Sequence, residues 1–549
     1  MNKGEIMNKN TMIRGTILLT SATFFSKFLG MIYTIPFESL VGATGGKLYG
    51  LAYGPYTIFI SLSTIGIPLA VSKFVAKYNS LGDYQTSHRM YKLALRLMMV
   101  TGVLSFLALF IGAKWLAGIY IPDNSEGITV EDVAMVIRMV SFALIIIPPM
   151  SITRGFFQGH QSMGPTAISQ VIEQIVRISF LLISVYIVIN VFKGSITTAV
   201  GFATFSAFIG AAASAVVLVW YWRKRQRHLN KYIDNQSIVS VPMTNQELFK
   251  ELLSYAGPFV FVGLAIPLYQ QIDAITFMRT LANLDYSQAV IDNSFSTINL
   301  YGHKLIMIPI TLATGMSLSA LPTLTKSYVD RNRDLLFRQI NQSLQIIMLL
   351  ILPAVIGMSL LSTEIWGAFY SVNEYTPLNA DLLSWYAPVA LFFALFTVSS
   401  SILQGINQQR FAIYSLVLGL VLKSILNVPL LNWLGPTGAV VATGLASFAT
   451  VAANLWCIKT AINFSLKQLF KRTLLMSIFS GLMAIAVIVM KYIVNFFVTY
   501  QDGRLANIFI LLITVTAGAG VYLLLSYHST LIERVVGSRI RFLDRIFNR

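Results

Sequence analysis

The chain has 549 residues, 56% of them hydrophobic and only 11% charged, with a mean hydropathy of +0.70. A soluble globular domain carries about 25% charged residues, so a water-soluble enzyme is excluded. The single cysteine, Cys457, excludes a disulfide framework and any multi-cysteine metal site. A net charge of +18 would suggest nucleic acid in a soluble protein, but here the basic residues sit at the ends of apolar runs, as membrane topology requires.

A membrane-crossing helix needs about 20 mostly apolar residues. On that measure fourteen spans are predicted, near 15–37, 50–72, 97–120, 133–153, 166–192, 196–222, 252–278, 294–322, 339–362, 382–405, 411–431, 436–458, 473–497 and 505–527. The fold class expected is therefore an all-α polytopic membrane protein. With the N-terminus placed in the cytoplasm, 29 of the 40 basic residues fall on the cytoplasmic side. Six fall outside (Lys47, Lys114, Lys193, Arg279, Lys491 and Arg504) and five within spans, while eleven of the 22 acids are outside. This asymmetry puts both termini in the cytoplasm of a bacterial plasma-membrane protein. The first apolar run is too long for a cleavable signal peptide and carries Lys27 in its middle.

The two halves repeat at an offset of 246–251 residues. Phe156–Gln161 recurs as Ile402–Asn407, Arg177 falls on Lys423, and Gly82-Asp83 falls on Arg333-Asp334. Thr198–Gly201 matches Gly438–Val441 at a slightly shorter offset. The expected organisation is an N-lobe over 1–222 and a basic cytoplasmic linker over 223–250. A C-lobe over 251–460 follows, then spans thirteen and fourteen with a basic tail over 461–549. Six spans per repeat is an even number, so both halves enter the membrane from one side, related by a pseudo-two-fold along the membrane normal. Parallel repeats around a midplane site are a transporter architecture.

Seven ionisable residues fall within spans: Lys27, Arg138, Glu173, Arg177, Asp273, Lys304 and Lys423. A mid-span Lys or Arg costs about 2.5–3.5 kcal/mol to insert. Arg138 lies near a span end and can snorkel to the headgroups. Lys27, Arg177 and Lys423 are too deep for that, and Lys304 is intermediate. Glu173 and Asp273 are candidates for charge pairing or ion coupling. Glu173 stands four residues before Arg177, the favourable order for an ion pair along one helix, and Asp273 lies at the repeat offset of Lys27. Even with both acids used, the balance within the spans is positive, and four basic side chains facing lipid would cost about 10–14 kcal/mol. Lys27, Arg177, Lys304 and Lys423 are therefore expected to line a cationic, water-filled cavity suited to an anion such as a phosphate ester.

Other motifs are weaker. No Walker A sequence or GxSxG elbow occurs, the five histidines are dispersed, and no cofactor or metal is expected. Pro148-Pro149, Pro267, Pro309 and Pro353 mark either hinges or ordinary kinks. The basic run from Arg223 to Arg227 and the C-terminal arginines suit anionic lipid rather than nucleic acid.

Several segments resemble the Gram-positive, YtgP/SpoVB type of the MurJ lipid II flippases, within the multidrug/oligosaccharidyl-lipid/polysaccharide exporter superfamily. They include Arg14-Gly15-Thr16, Ser26-Lys27-Phe28-Leu29-Gly30, Ile35-Pro36-Phe37, Val41–Gly46, Gly66–Asn79, Tyr301–Leu305 and Leu321–Leu324. The likeness covers essentially the whole chain, and it implies alternating access for an undecaprenyl-pyrophosphate-linked muropeptide, moved from inner to outer leaflet. It places Lys27 and Lys304 where Gram-negative relatives carry cavity arginines. Six residues after Lys27, where those relatives have a second basic residue, this chain has Tyr33, so Arg177 or Lys423 is expected to take over part of that role. The resemblance also implies a lipid-tail groove formed by spans thirteen and fourteen. A monomer, driven by the membrane potential or a monovalent ion, is expected. The rivals are a flippase for another polyprenyl-pyrophosphate-linked glycan (a teichoic acid, capsule or spore-wall precursor), a cation-coupled multidrug extruder, a non-transporting scaffold and a membrane glycosyltransferase.

Overall fold

The computed structural model describes residues 18–536, apart from 20, 65, 122–126, 235, 237–243 and 253–262. Those residues are almost entirely helical and contain no strand. Contacts divide the chain into two compact units, Met1–Ile275 and Thr276–Arg549. In the first unit the helices are α1 (21–32), α2 (Thr34–Thr64), α3 (Ile67–Ser80), α4 (Tyr84–Tyr120), α5 (Val130–Ser141), α6 (Ala143–Gly159), α7 (Gly164–Tyr186), α8 (Ile196–Asp234) and α9 (245–252). Helix α10 (Ala265–Asn283) carries the division between the units. The second unit continues with α11 (Gln288–Ser296), α12 (Gly302–Val329), α13 (Arg333–Leu360), α14 (Ser362–Phe369), α15 (Thr376–Gly405), α16 (Gln409–Leu434), α17 (Thr437–Ile462), α18 (Lys467–Asn495), α19 (Arg504–His528) and α20 (Leu531–Val536).

Ten helices among the described residues are long and apolar enough to cross a membrane, and they coincide with ten of the fourteen expected spans. The chain is thus a multi-pass membrane protein. Its outward surface agrees, since Ile111, Trp115, Phe192, Trp433, Phe497 and Leu505 are all exposed, where water would make such side chains a liability. The expected spans 15–37, 50–72, 252–278 and 294–322 fall outside the ten, the first and third running partly through residues outside those described. The first two differ from expectation in their boundaries. Helix α2 runs through the predicted outer loop at 38–49, interrupted only at Gly42, whose φ of 63° breaks the helix without ending the run. The real break lies near Gly66, at φ 86°, followed by Pro68 in the first turn of α3. Lys47, expected outside, is consequently buried.

The repeat is visible inside each unit. The turn before α4 places Asp83 as N-cap, accepting from the Thr86 N–H at 3.0 Å. The turn before α13 does the same with Asn332, accepting from Leu335 N–H at 3.1 Å, so Gly82-Asp83 falls on Arg331-Asn332, whose positive φ and cap it shares, and not on Arg333-Asp334 as the sequence alignment set it. After α6, Gln161 adopts φ 56°, and after α15, Asn407 adopts φ 58°, each closed by the same three backbone hydrogen bonds. Helix pairings recur as well: α3, α4 and α8 on α6, and α7 on α8, against α12, α13 and α17 on α15, and α16 on α17. The close crossings coincide, with Gly159 against Val75 in one unit and Gly405 against Leu324 in the other.

Two further pieces complete the units. Short α9 docks in the first, its Leu248 and Leu252 buried among Phe74, Val75, Tyr78 and Met90. Glu251 beside them takes Lys77 Nζ at 2.8 Å and the Tyr78 hydroxyl at 2.9 Å. In the second, α18 and α19 pack on α13 and α14 through Met348, Met476, Met483 and Tyr522. There Lys491 pairs with the buried Glu364 at 2.8 Å.

Candidate functional site

The polar face of α7 organises the first unit. Gln170, Glu173, Gln174 and Arg177 stand at helical spacing on one side of it. Helix α1 lies along this face: Thr23 donates to Gln170 Oε1 at 3.2 Å, and the Ser26 hydroxyl to the Gln170 carbonyl at 3.4 Å. Lys27 follows Ser26 on α1, is exposed, and makes no hydrogen bond or ion pair among the described residues. Lys27 and Arg177 are thus carried by neighbouring helices.

Arg177 turns towards α2. Its Nη2 donates to the Tyr53 hydroxyl at 2.7 Å and the Tyr49 hydroxyl at 3.2 Å, and its guanidinium lies 5.5 Å from the Tyr53 ring centroid. Tyr49 stacks on Tyr53 at 5.0 Å, and Tyr53 meets Tyr56 at 4.9 Å. The hydroxyls of Tyr49 and Tyr33 lie 3.2 Å apart. The position at which the resemblance left a tyrosine in place of a base is therefore joined through one hydroxyl to the Arg177 guanidinium. Arg177 Nε is buried and has no hydrogen-bond partner among the described residues. An arginine held by neutral hydroxyls keeps its full charge, and a buried donor without a partner costs free energy unless a ligand satisfies it.

Glu173 does not pair with Arg177. Its carboxylate takes Arg154 Nη2 from α6 at 2.6 Å, in a corner where both side chains are largely buried. Arg154 also donates to Ser169 Oγ at 3.0 Å and Ser214 Oγ at 2.7 Å, so one guanidinium ties α6, α7 and α8 together. Counting Arg154 with the cytoplasmic loops hid it, because it lies within α6, five residues before the helix ends at Gly159.

In the second unit Lys304 stands in the first turn of α12, half-buried, directly after a π-helical turn over Thr297–Tyr301. That wide turn is pinned by Thr297 Oγ1 donating to Asn379 Oδ1 at 2.9 Å and by the Tyr370 hydroxyl donating to the Tyr301 carbonyl at 2.9 Å. The ring of His303 meets the Tyr386 hydroxyl at 2.9 Å. Lys423 is fully buried in α16 and donates to Thr443 Oγ1 on α17. It is enclosed by protein, unlike Lys27. Asp273, on α10, is buried too. Arg138 is exposed, its guanidinium over the Phe110 ring at 5.7 Å and its Nε donating to the Phe110 carbonyl at 3.4 Å. No group of His, Cys, Asp and Glu among the described residues could hold a metal.

The residues missed from sequence are Tyr49, Tyr53 and Arg154. The tyrosines had a readable cue, since Tyr49, Tyr53 and Tyr56 recur at i, i+4 and i+7, one face of a helix.

Comparison with known proteins gives a consistent result. A family described as "Polysaccharide biosynthesis protein" matches residues 12–328, and one described as MatE matches 301–428. The chain is 46% identical over 531 residues to "Lipid II flippase MurJ" of Bacillus subtilis (strain 168), covering 96% of this chain and 97% of that protein. It is 26% identical over 445 residues to "Uncharacterized membrane protein YabM" of the same organism, covering 81% and 79% of the two chains. Among solved structures, "Lipid II flippase MurJ, inward closed conformation" superposes with a TM-score of 0.64 at 18% identity, over 95% of this chain and 100% of that one. An inward-facing multidrug resistance MATE family transporter of the MOP superfamily gives 0.59 at 13% identity, over 79% and 98%.

Proposed function

The chain belongs to the MurJ lipid II flippase family, and from that premise we propose that it carries the undecaprenyl-pyrophosphate-linked muropeptide from the inner to the outer leaflet by alternating access, its pyrophosphate held in the first unit by Arg177 and Lys27. It is a transporter of the cytoplasmic membrane, not an enzyme. The observation that carries the assignment of the site is Arg177: a guanidinium within a span, given to neutral tyrosines rather than to the acid on its own helix, with a buried donor left open. Such a group favours a multivalent oxyanion, which can accept from several guanidinium donors at once. Lys27 adds an exposed ammonium on the adjoining helix.

Both termini lie in the cytoplasm, the protein acts as a monomer, and spans thirteen and fourteen accommodate the lipid tail. An inside-negative potential favours outward passage of an anion by about 2.3 kcal/mol per charge per 100 mV, so no nucleotide is required. The test is outer-leaflet access of the precursor in cells lacking any redundant flippase. Arg177→Gln and Lys27→Ala, inserted at normal levels, are expected to leave the precursor accumulated and hidden from an external probe. Normal access in both overturns this site. Normal access with the whole protein depleted, while another wall polymer fails, transfers the activity to a different polyprenyl-pyrophosphate-linked glycan.

A further inference from the structure

The internal repeat makes the chain its own comparison. Arg154, Ser169 and Glu173 fall at an offset of 246 on Ser400, Ser415 and Gly419, and Ser214 falls on Asn454 at 240. These second-unit residues also form one corner. The Ser415 hydroxyl donates to Asn454 Oδ1 at 2.6 Å, and Asn454 Nδ2 donates to Ser399 and Ser400 Oγ at 3.0 and 3.3 Å. The same three-helix junction is therefore built twice, once with an ion pair and once with neutral groups. Acid and base are present together in one half and absent together in the other. In both halves a cation stands four residues after the acid's position, Arg177 in one and Lys423 in the other.

Glu173 has a cation within helical reach at Arg177, yet its carboxylate is held by Arg154 at 2.6 Å. Arg177 is left with the hydroxyls of Tyr49 and Tyr53. We infer that Arg154 is a positioning residue that holds the Glu173 charge away from Arg177, keeping the α7 guanidinium available to the pyrophosphate. This rests on the reading that Arg177 contacts that group. Without Arg154, the carboxylate in a low-dielectric span takes the next cation on its own helix, and a phosphate must then displace it. Where the repeat has Gly419, that position supplies no carboxylate, and Ser400 opposite Arg154 supplies no base.

The test measures binding of undecaprenyl pyrophosphate to the purified full-length protein, beside outer-leaflet access in cells. Arg154→Ser is expected to weaken binding on the order of 10- to 100-fold, the worth of one charge-assisted contact. Arg154→Ser with Glu173→Gln, which approximates the neutral corner of the second unit, is expected to return to within about 3-fold of wild type on the same reasoning. A purely structural pair also predicts recovery in the double variant, because Glu173→Gln removes the uncompensated buried charge, so the Arg177→Gln background decides: there Arg154→Ser is expected to cause no further loss of binding, and a further loss overturns the inference. Wild-type binding by Arg154→Ser, or a double variant no better than the single, overturns the inference. If Arg154→Ser fails to accumulate, Arg154→Lys decides: it keeps the charge beside Glu173 but loses the forked contacts to Ser169 and Ser214. Near wild-type binding then supports the inference, and lost binding overturns it. Arg177→Gln runs alongside. If it binds like wild type, the assignment of Arg177 falls; if it is impaired and rescue is absent, only the role of Arg154 falls.

Discussion

Gly210→Ala is the smallest change that reaches the site through packing alone. Gly210 lies on α8 against the turn of α7 that carries both Glu173 and Arg177. A Cβ there would stand 2.7 Å from the Glu173 carbonyl oxygen and 2.8 Å from Arg177 Cβ, where ordinary contact begins at 3.4 Å. Neither atom is the far end of a flexible side chain, so α8 must retreat from α7 by roughly the shortfall of 0.7 Å. Overpacking of this kind costs about 1–3 kcal/mol, offset by less than about 1 kcal/mol from alanine's better helix propensity. The displacement also acts on α8's own contribution to the site, the 2.7 Å bond from Arg154 to Ser214. The expected result is a lower heat-inactivation midpoint for the detergent-purified protein together with weaker undecaprenyl pyrophosphate binding. Gly112→Ala on α4 is the control, since nothing lies within 4 Å of its Cβ position, and it should match or slightly exceed wild type. A Gly210→Ala protein that melts and binds like Gly112→Ala refutes the reasoning.

The two halves allow a paired version of the same argument at the repeated crossing. A Cβ at Gly159 would meet Val75 at 2.7 Å and the Ser72 carbonyl at 2.8 Å, whereas at Gly405 the first obstacle is Leu324 Cβ at 3.0 Å. Gly159→Ala should cost about 1–3 kcal/mol and Gly405→Ala about 1 kcal/mol or less, and the reverse order of heat stability would contradict this. At the end of α4, His88 stacks on Trp222 beside Tyr91 and Phe156, and burial, then Lys92 and His160, holds its pKa below 6.5. The folded pKa is lowered, so the unfolded chain takes the proton first. The contribution to stability is complete above about pH 6.5 and is lost as pH falls through the folded value. His88→Phe should flatten the fall in melting temperature between pH 7.5 and 5.5; an unchanged slope would remove His88 as its source.

How much of this was readable beforehand depends on which interactions are local. The repeat was legible at Gln161 and Asn407, which share one backbone conformation, but its register was off by two residues before α13, because Asn332 and not Asp334 makes the capping bond that Asp83 makes. The limits of α2 were not legible, because hydropathy registers apolar content while the breaks depend on backbone angles at Gly42 and Gly66. Arg177 and Lys423 were found by depth alone, but Lys47 and Arg154, counted with the loops, were not, and neither were the partners. Spacing along α7 offers Glu173 to Arg177, whereas the fold gives it to an arginine nineteen residues earlier in the chain on a different helix. Charge pairing across helices depends on tertiary approach, here set by the small residue Gly210 and the two serines that receive Arg154. Yet a trace of the pairing did exist in the sequence. Aligning the halves puts Ser400 and Gly419 opposite Arg154 and Glu173, so both charges vanish together while the cation one turn on persists. Two residues that appear and disappear together within one chain, around a constant third, are better explained as partners than as independent members of a cavity.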